Sequence, residues 1–336
     1  MNPSSIVVQV RESVRLDRYL TGRLAHVSRN RIQRHIEQGD VLVDGRRVRS
    51  NHRLHGGETL CLPPFEARKL ENASRHVDFR IVYEDEDLVV VDKPAGILVH
   101  PIASEFRDTL LNGLHHRLTT RGDDPSGLGI VHRLDRWTSG LIVVAKRLPA
   151  RRQLAQQVEN RQVRRHYWAL VRGKPEPPRG RIDYWIRRDP RRPTRMQALD
   201  DAAAAVAARA LVRPHVSSAG FSDEHRDGRP RSARTHYRVL RTLPGAAVVA
   251  LRLETGRTHQ IRVHLQALGY PLLGDPIYGP PAATLPQAPA TQAALQRPAL
   301  HASRLEFQHP TTHEPLRFRA PLPPDLRAVL QELLAP

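Results

Sequence analysis

The sequence predicts an α+β protein: a mixed, largely antiparallel sheet with peripheral helices, joined to a small basic α/β module. Three observations carry this. Apolar strand-like runs are many and strand–helix–strand alternations few, which argues against a doubly wound sheet. One run, Gly140 to Ala145, holds no charge, as expected of a central strand covered on both faces. Residues 1–62 are set apart from the rest by Pro63-Pro64 and a polar stretch from Glu66 to Arg75.

The elements follow in order. Val14, Leu16, Tyr19, Leu20 and Leu24 recur at helical spacing. Ser28 can cap a second helix from about Arg29 to Gln38, with Gly39 as its stop. Val41 to Val43 reads as a strand, Asp44-Gly45 as a hairpin turn, and Arg46-Arg47-Val48 as the return. Glu58 to Leu62 is a further strand, within which Cys61 is expected to pack as a small core residue. Arg29, Arg31, Arg34, Arg46 and Arg47 give this module a positive face.

After a linker at 63–76, a larger domain runs from 77 to 336. Its expected strands are Leu88 to Val91, Gly140 to Ala145, His166 to Val171, Thr235 to Leu240 and Ala247 to Leu253. Helices are expected from Pro149 to Gln162, from a Thr258 cap to Leu268, and from Asp325 to Leu334. A hairpin, about His301 to Phe307 and Leu316 to Phe318, precedes the last helix. Residues 199–233 read as an insertion, partly helical from its alanine run, and 280–298 as a Pro/Ala/Gln loop.

Composition narrows the function. The 336 residues carry 53 Lys and Arg against 34 Asp and Glu, a net charge of +19. Such an excess suits a polyanion, because each phosphate neutralised releases a counterion. Aromatic residues at 5% are too few for a surface that binds by stacking many bases. A single cysteine excludes an internal disulfide and a cysteine-based zinc cluster. The N-terminus lacks a basic segment followed by a long apolar run, and no stretch reaches the ~18 apolar residues of a membrane span. A cytoplasmic protein is expected, and nothing demands more than a monomer.

Three segments hold chemistry-bearing side chains. In Gly129 to Lys146, the polar cluster His132-Arg133-Leu134-Asp135-Arg136 lies just before the central strand. Asp135 between two arginines would stay ionised even when desolvated, as a nucleophile or base requires. On spacing alone, an aspartate capping a turn beside its arginines is the better reading. In Gly256 to His264, Arg, His and Gln crowd a helix start that can receive a phosphate or a carboxylate. His259 and His264 are five apart, which poorly fits a metal pair on one face. In Arg164 to Val171, Tyr167 and Trp168 point to opposite faces of a strand, so one can meet a base while the other packs inside. Gly127-Leu128-Gly129 is no dinucleotide loop, since the third glycine is missing.

Together these segments resemble the RluA-type RNA pseudouridine synthases across nearly the whole chain. His132-Arg133-Leu134-Asp135 with Thr138-Ser139-Gly140 looks like the family's catalytic motif. Tyr83 to Gly96 looks like its first motif, and Gly256 to His264 like its late one, followed by Gly274-Asp275 and Tyr278-Gly279. Residues 14–62 resemble the αL RNA-binding module named for a ribosomal small-subunit protein. The resemblance implies isomerisation of uridine in RNA, in large-subunit ribosomal RNA first and transfer RNA as the competing substrate, without a cofactor or metal. It implies that Asp135 attacks the nucleotide, that Tyr167 lies against the base, that Arg262 pairs with Asp135, and that Arg133 supports the flipped RNA. A catalytically silent assembly factor that only binds RNA stays open, as does an aspartate-nucleophile hydrolase, which the charge does not favour. The 199–233 segment is longer than this connection usually is in the family.

Overall fold

The computed structural model describes residues 4–10, 12–24, 27, 29–63, 77–101, 107–192, 194–210, 228–279 and 295–335. They fall into two compact units, one N-terminal and one from Val77 onward. Ser28, all but the first residue of the expected linker, 211–227 of the expected insertion and most of the 280–298 loop lie outside the described residues.

The N-terminal unit contains β1 (Ser4–Val7), β2 (Val14–Arg15), α1 (Leu16–Arg23), α2 (Arg29–Gln38), β3 (Leu42–Val43), β4 (Arg46–Arg47), β5 (Arg53–Leu54) and β6 (Thr59–Leu62). Four strands form a sheet in the order β1-β6-β3-β4. Leu16 and Leu20 of α1 and Ile32 and Ile36 of α2 bury their side chains with Val43, Leu60 and Leu62. Asp17 is fully buried, and its carboxylate accepts from the Arg15 guanidinium (3.0 and 3.1 Å) and from Gln33 Nε2 (2.7 Å), which ties α1 to α2. Asp44 and Gly45 both take positive φ (47° and 76°), the backbone a two-residue hairpin needs to match strand twist. Cys61 departs from expectation. Along β6 only Leu60 and Leu62 face the core; Cys61, between them, points to the other side and is half-buried.

The larger unit is built on one eleven-stranded sheet. Its strands are β7 (Arg80–Glu84), β8 (Leu88–Lys93), β9 (Gly129–Ile130), β10 (Ser139–Ala145), β11 (Arg164–Arg172), β12 (Arg179–Arg188), β13 (Met196–Leu199), β14 (Arg231–Leu243), β15 (Ala246–Leu253), β16 (Leu300–Gln308) and β17 (Pro315–Arg319). The order is β13-β12-β14-β15-β11-β16-β10-β8-β7, with β17 on β16 and β9 on β10. Its helices are α3 (Leu110–Arg121), α4 (Leu148–Glu159), α5 (Asp201–Ala210), α6 (Gln260–Ala267) and α7 (Pro324–Leu334).

Both faces of the central strands are covered. Ile142 and Val144 of β10 pack with Leu110 and Leu114 of α3, while Leu141 and Val143 pack with Ala150 and Leu154 of α4. Every pairing in this sheet is antiparallel except β10 with β16, where Ser139 meets His301 and Gly140 meets Ala302. That seam needs glycine: Gly140 has φ +110°, and a Cβ there would lie 2.3 Å from the Ala302 carbonyl oxygen. The loop carrying Asp135 enters the sheet at this seam.

Candidate active site

Three connections converge on one cleft: the loop between β9 and β10, the face of β11, and the turn between β15 and α6. Arg133, Asp135, Arg165, Tyr167, Gly256 and Thr258 are among the residues that line it.

The Asp135 loop is held from several sides. Lys93, fully buried at the end of β8, donates to the carbonyl oxygens of Pro94 (2.7 Å), Ile97 (3.0 Å) and Arg136 (3.1 Å). The Gly96 amide also donates to Arg136 O, and Arg136 Nε returns a bond to Gly96 O. Arg297, clamped by Asp325, donates to Trp137 O. Upstream, His132 is buried, and its Nε2 accepts from the Val143 amide. Burial pushes its imidazole down to about 3, so it stays neutral.

The turn before α6 is pinned by Gln260. Its Oε1 accepts from the Arg257 amide and Thr255 Oγ1, and its Nε2 donates to Arg234 O and Thr235 Oγ1. The N-cap position of α6 is His259, in left-handed backbone at φ 56° and with no side-chain cap bond. Thr258, expected as the cap, is therefore one residue early; the chain turns through His259, and Gln260 reaches back to hold the turn at the Arg257 amide.

Arg262 sits between two carboxylates. Its Nε and Nη2 donate to both oxygens of buried Asp275 (2.7 and 2.8 Å), and its Nη1 lies 3.6 Å from Asp135 Oδ2. Asp275 Oδ1 also accepts from the amides of Ile277 and Tyr278. The Tyr278 ring lies 5.0 Å from the Arg262 guanidinium carbon. The fork geometry fixes the arginine against Asp275 and leaves one nitrogen for Asp135.

Asp135 is 18% exposed at its side chain. Its burial would raise the carboxyl pKa. The charges of His259, Arg262 and Arg133, with the His259 backbone amide, outweigh that and hold it below the ordinary range. Burial also lowers His259 below the usual imidazole range, so at neutral pH the arginines and the amide carry the effect. Tyr167 is buried on β11, and burial pushes its phenol up to about 12. Its neighbour Trp168 faces the opposite side, against the core under α7.

Of the residues singled out from sequence, Asp135, Tyr167, Arg262 and Arg133 come together here. The N-terminal arginines belong to the other unit. Arg46 and Arg47 are exposed and Arg34 is half-buried; the side chains of Arg29 and Arg31 lie outside the described residues. Lys93, Arg165, Gln260 and Asp275 were not singled out as site residues. Lys93, Gln260 and Asp275 act through contacts that only the fold creates. Among the described residues, no group of three or more His, Cys, Asp or Glu side chains is placed to hold a metal ion.

Residues 87–267 match the RNA pseudouridylate synthase family, and residues 14–60 match the S4 domain. The chain belongs to the RNA pseudouridylate synthase family. The synthase is 39% identical over 324 residues to the ribosomal large subunit pseudouridine synthase D of Nitrosomonas europaea, covering 95% of this chain and 84% of the relative. It is 37% identical to the protein of the same name from Xanthomonas campestris, covering 95% and 88%. Among solved structures it resembles human RNA pseudouridylate synthase domain containing 4, with a TM-score of 0.57 and 26% identity over 76% of this chain and 92% of that one. The synthase is thus an RNA-modifying isomerase of RluA type with an N-terminal S4 module. No helix among its described residues is long and apolar enough to cross a membrane.

Proposed function

We propose that this synthase converts uridine to pseudouridine in large-subunit ribosomal RNA, with Asp135 as the nucleophile acting on a nucleotide flipped out of its helix. The observation that carries the mechanism is the state of Asp135: a partly exposed carboxylate, kept ionised by Arg262 and Arg133, facing a cleft with Tyr167. The ribosomal substrate is supported by what the two bacterial relatives are named for.

The reaction breaks the bond between N1 and the ribose, turns the uracil, and joins its carbon 5 to C1′; the proton on carbon 5 leaves to water and N1 takes one up. An ionised Asp135 supplies the nucleophile. Tyr167, holding its own proton, offers a surface for the detached base and can relay the carbon 5 proton by passing its own to water as it takes that one up. Arg262 holds Asp135 and the nucleotide. Arg133, exposed at the mouth, supports the displaced strand. Flipping costs roughly a few kcal/mol, which phosphate contacts to a +19 protein can offset. In this reading residues 1–62 are an RNA-binding module contacting phosphates through Arg29, Arg31, Arg34, Arg46 and Arg47. Residues 63–76 link it to a catalytic domain at 77–336.

The test is tritium release from RNA labelled at carbon 5 of uracil, on large-subunit ribosomal RNA and transfer RNA. Asp135→Asn should fold, because Asp275 still pairs with Arg262, and should bind RNA within a few-fold of wild type. Its turnover should fall by roughly a thousandfold or more. Turnover near the wild-type rate would remove Asp135 from the nucleophile role, and release from transfer RNA alone would replace the ribosomal substrate.

A further inference from the structure

One cation in the cleft has no work to do in the chemistry above. Arg165 lies on β11, two residues before Tyr167 and on the same face. It is 7% exposed, and its Nε is buried with no hydrogen-bond partner. Among the described residues, no hydrogen bond or ion pair engages its guanidinium. It packs against the turn before α6, where its guanidinium fills the space beside Gly256: a Cβ there would lie 2.6 Å from its Nη1. Buried arginines are ordinarily matched by a carboxylate, and leaving one unmatched costs several kcal/mol of desolvation. An arginine kept unmatched beside a binding cleft marks where an anion arrives from outside.

The cleft's other charges say which anion. Arg133, Arg165 and Arg257 line it with a single carboxylate, Asp135, which is already paired with Arg262. Uracil brings only neutral oxygens. RNA brings one negative charge per nucleotide, and its phosphate matches the planar guanidinium fork. Depth adds selectivity. Exposed Arg133 can meet any phosphate that passes, whereas Arg165 can reach only one belonging to a nucleotide that has entered the cleft.

We propose that Arg165, with the Gly256–Thr258 turn, forms a subsite for the backbone phosphate flanking the extruded uridine. This rests on the reading of the Asp135 cleft as the place the uridine enters. The subsite makes flipping and binding one event: the arginine loses its desolvation penalty only when the target nucleotide is out of the helix.

The experiment is phosphate-ethylation interference, which neutralises one phosphate per RNA molecule. It uses the full-length protein and the ribosomal or transfer RNA transcript that wild type converts. Wild-type binding should be blocked by ethylation at a phosphate within one nucleotide of the converted uridine. Arg165→Met should lose that single interference, keep the others, and bind at least tenfold more weakly. Its melting temperature should hold or rise, since an unmatched buried charge is gone. Arg165→Lys should keep the interference. An unchanged pattern in Arg165→Met, or a lost interference remote from the converted uridine, overturns the proposal. Asp135→Asn, run alongside, should keep the wild-type pattern without turnover. If it turns over while the Arg165 interference stands, the nucleophile assignment has failed and the phosphate subsite has not.

Discussion

At the scale of residues, the site separates two titrating groups in opposite directions. Asp135 is stabilised in its charged form, so its carboxylate contributes stability above about pH 4 and loses it as pH falls through the depressed value. Tyr167 is stabilised in its neutral form and keeps its proton to about pH 12. Neither group should titrate across the working range. Neither should therefore bend the profile of kcat/KM between about pH 6.5 and about pH 9, and a bend near pH 7 would belong to Lys93, whose ammonium burial pushes down to about 7. Tyr167→Phe should lower the plateau without narrowing or widening it. A basic limb below about pH 9 that vanishes in Tyr167→Phe would mean that the tyrosine works as a pre-ionised base. The Arg262–Asp275 fork explains why such a site survives burial: the arginine's main partner is outside the reaction, so Asp135 can change its bonding without stranding a buried cation.

At the scale of elements, the Asp135 loop is rigid because other loops hold it. Lys93 gives its three protons to three carbonyl oxygens, one of them Arg136 O in the loop itself. Burial pushes its ammonium down to about 7, against which the charge of Asp135 acts. Lys93→Met should leave those carbonyls short of a donor and cost about 2–4 kcal/mol in stability, read from urea unfolding. Turnover should fall further than RNA affinity, because the loop would still be present but looser. Equal losses in both would point to general unfolding. How far these elements were legible follows from their patterning. α2 and β10 were readable because one has a clear stop at Gly39 and the other no charge at all. β12 was not readable: it is half-exposed and four of its ten residues are arginines, which hides the alternation. α3 was missed because its capping box uses Asn112 where Glu or Gln is the usual signal. In the site, the segments around Asp135 and Arg262 stood out by their density of polar groups, while the roles of Asp135, Tyr167 and Arg262 came only with the resemblance to the family. Lys93, 43 residues from Arg136, and Asp275, 13 from Arg262, are joined to them only by the folded chain.

At the scale of the whole molecule, the question is how a +19 chain divides its phosphate contacts between its two units. Among the described residues, each hydrophobic cluster draws its buried side chains from one unit alone: Val8 to Leu62 in the first, and residues from Leu88 onward in the clusters of the second. Removing residues 1–62 should therefore leave the second unit's core intact, with Asp135, Arg262 and Arg165 in place. What is lost is the S4 module and its arginines, of which Arg46 and Arg47 are exposed. If that module neutralises about four phosphates, the slope of log affinity against log salt should fall by roughly three units, at about 0.7–0.9 per phosphate. Affinity at low salt should fall most, and near molar salt the two proteins should converge, because screening removes the advantage of the missing charges. Turnover at saturating RNA should stay within a few-fold, since Asp135, Tyr167 and Arg262, the groups proposed to react, all belong to the second unit. Filter binding of full-length and truncated protein across a salt series separates these outcomes. A truncated protein with unchanged slope and affinity would place the phosphate contacts wholly on the second unit, and the positive face of the first would then be ordinary solvated charge.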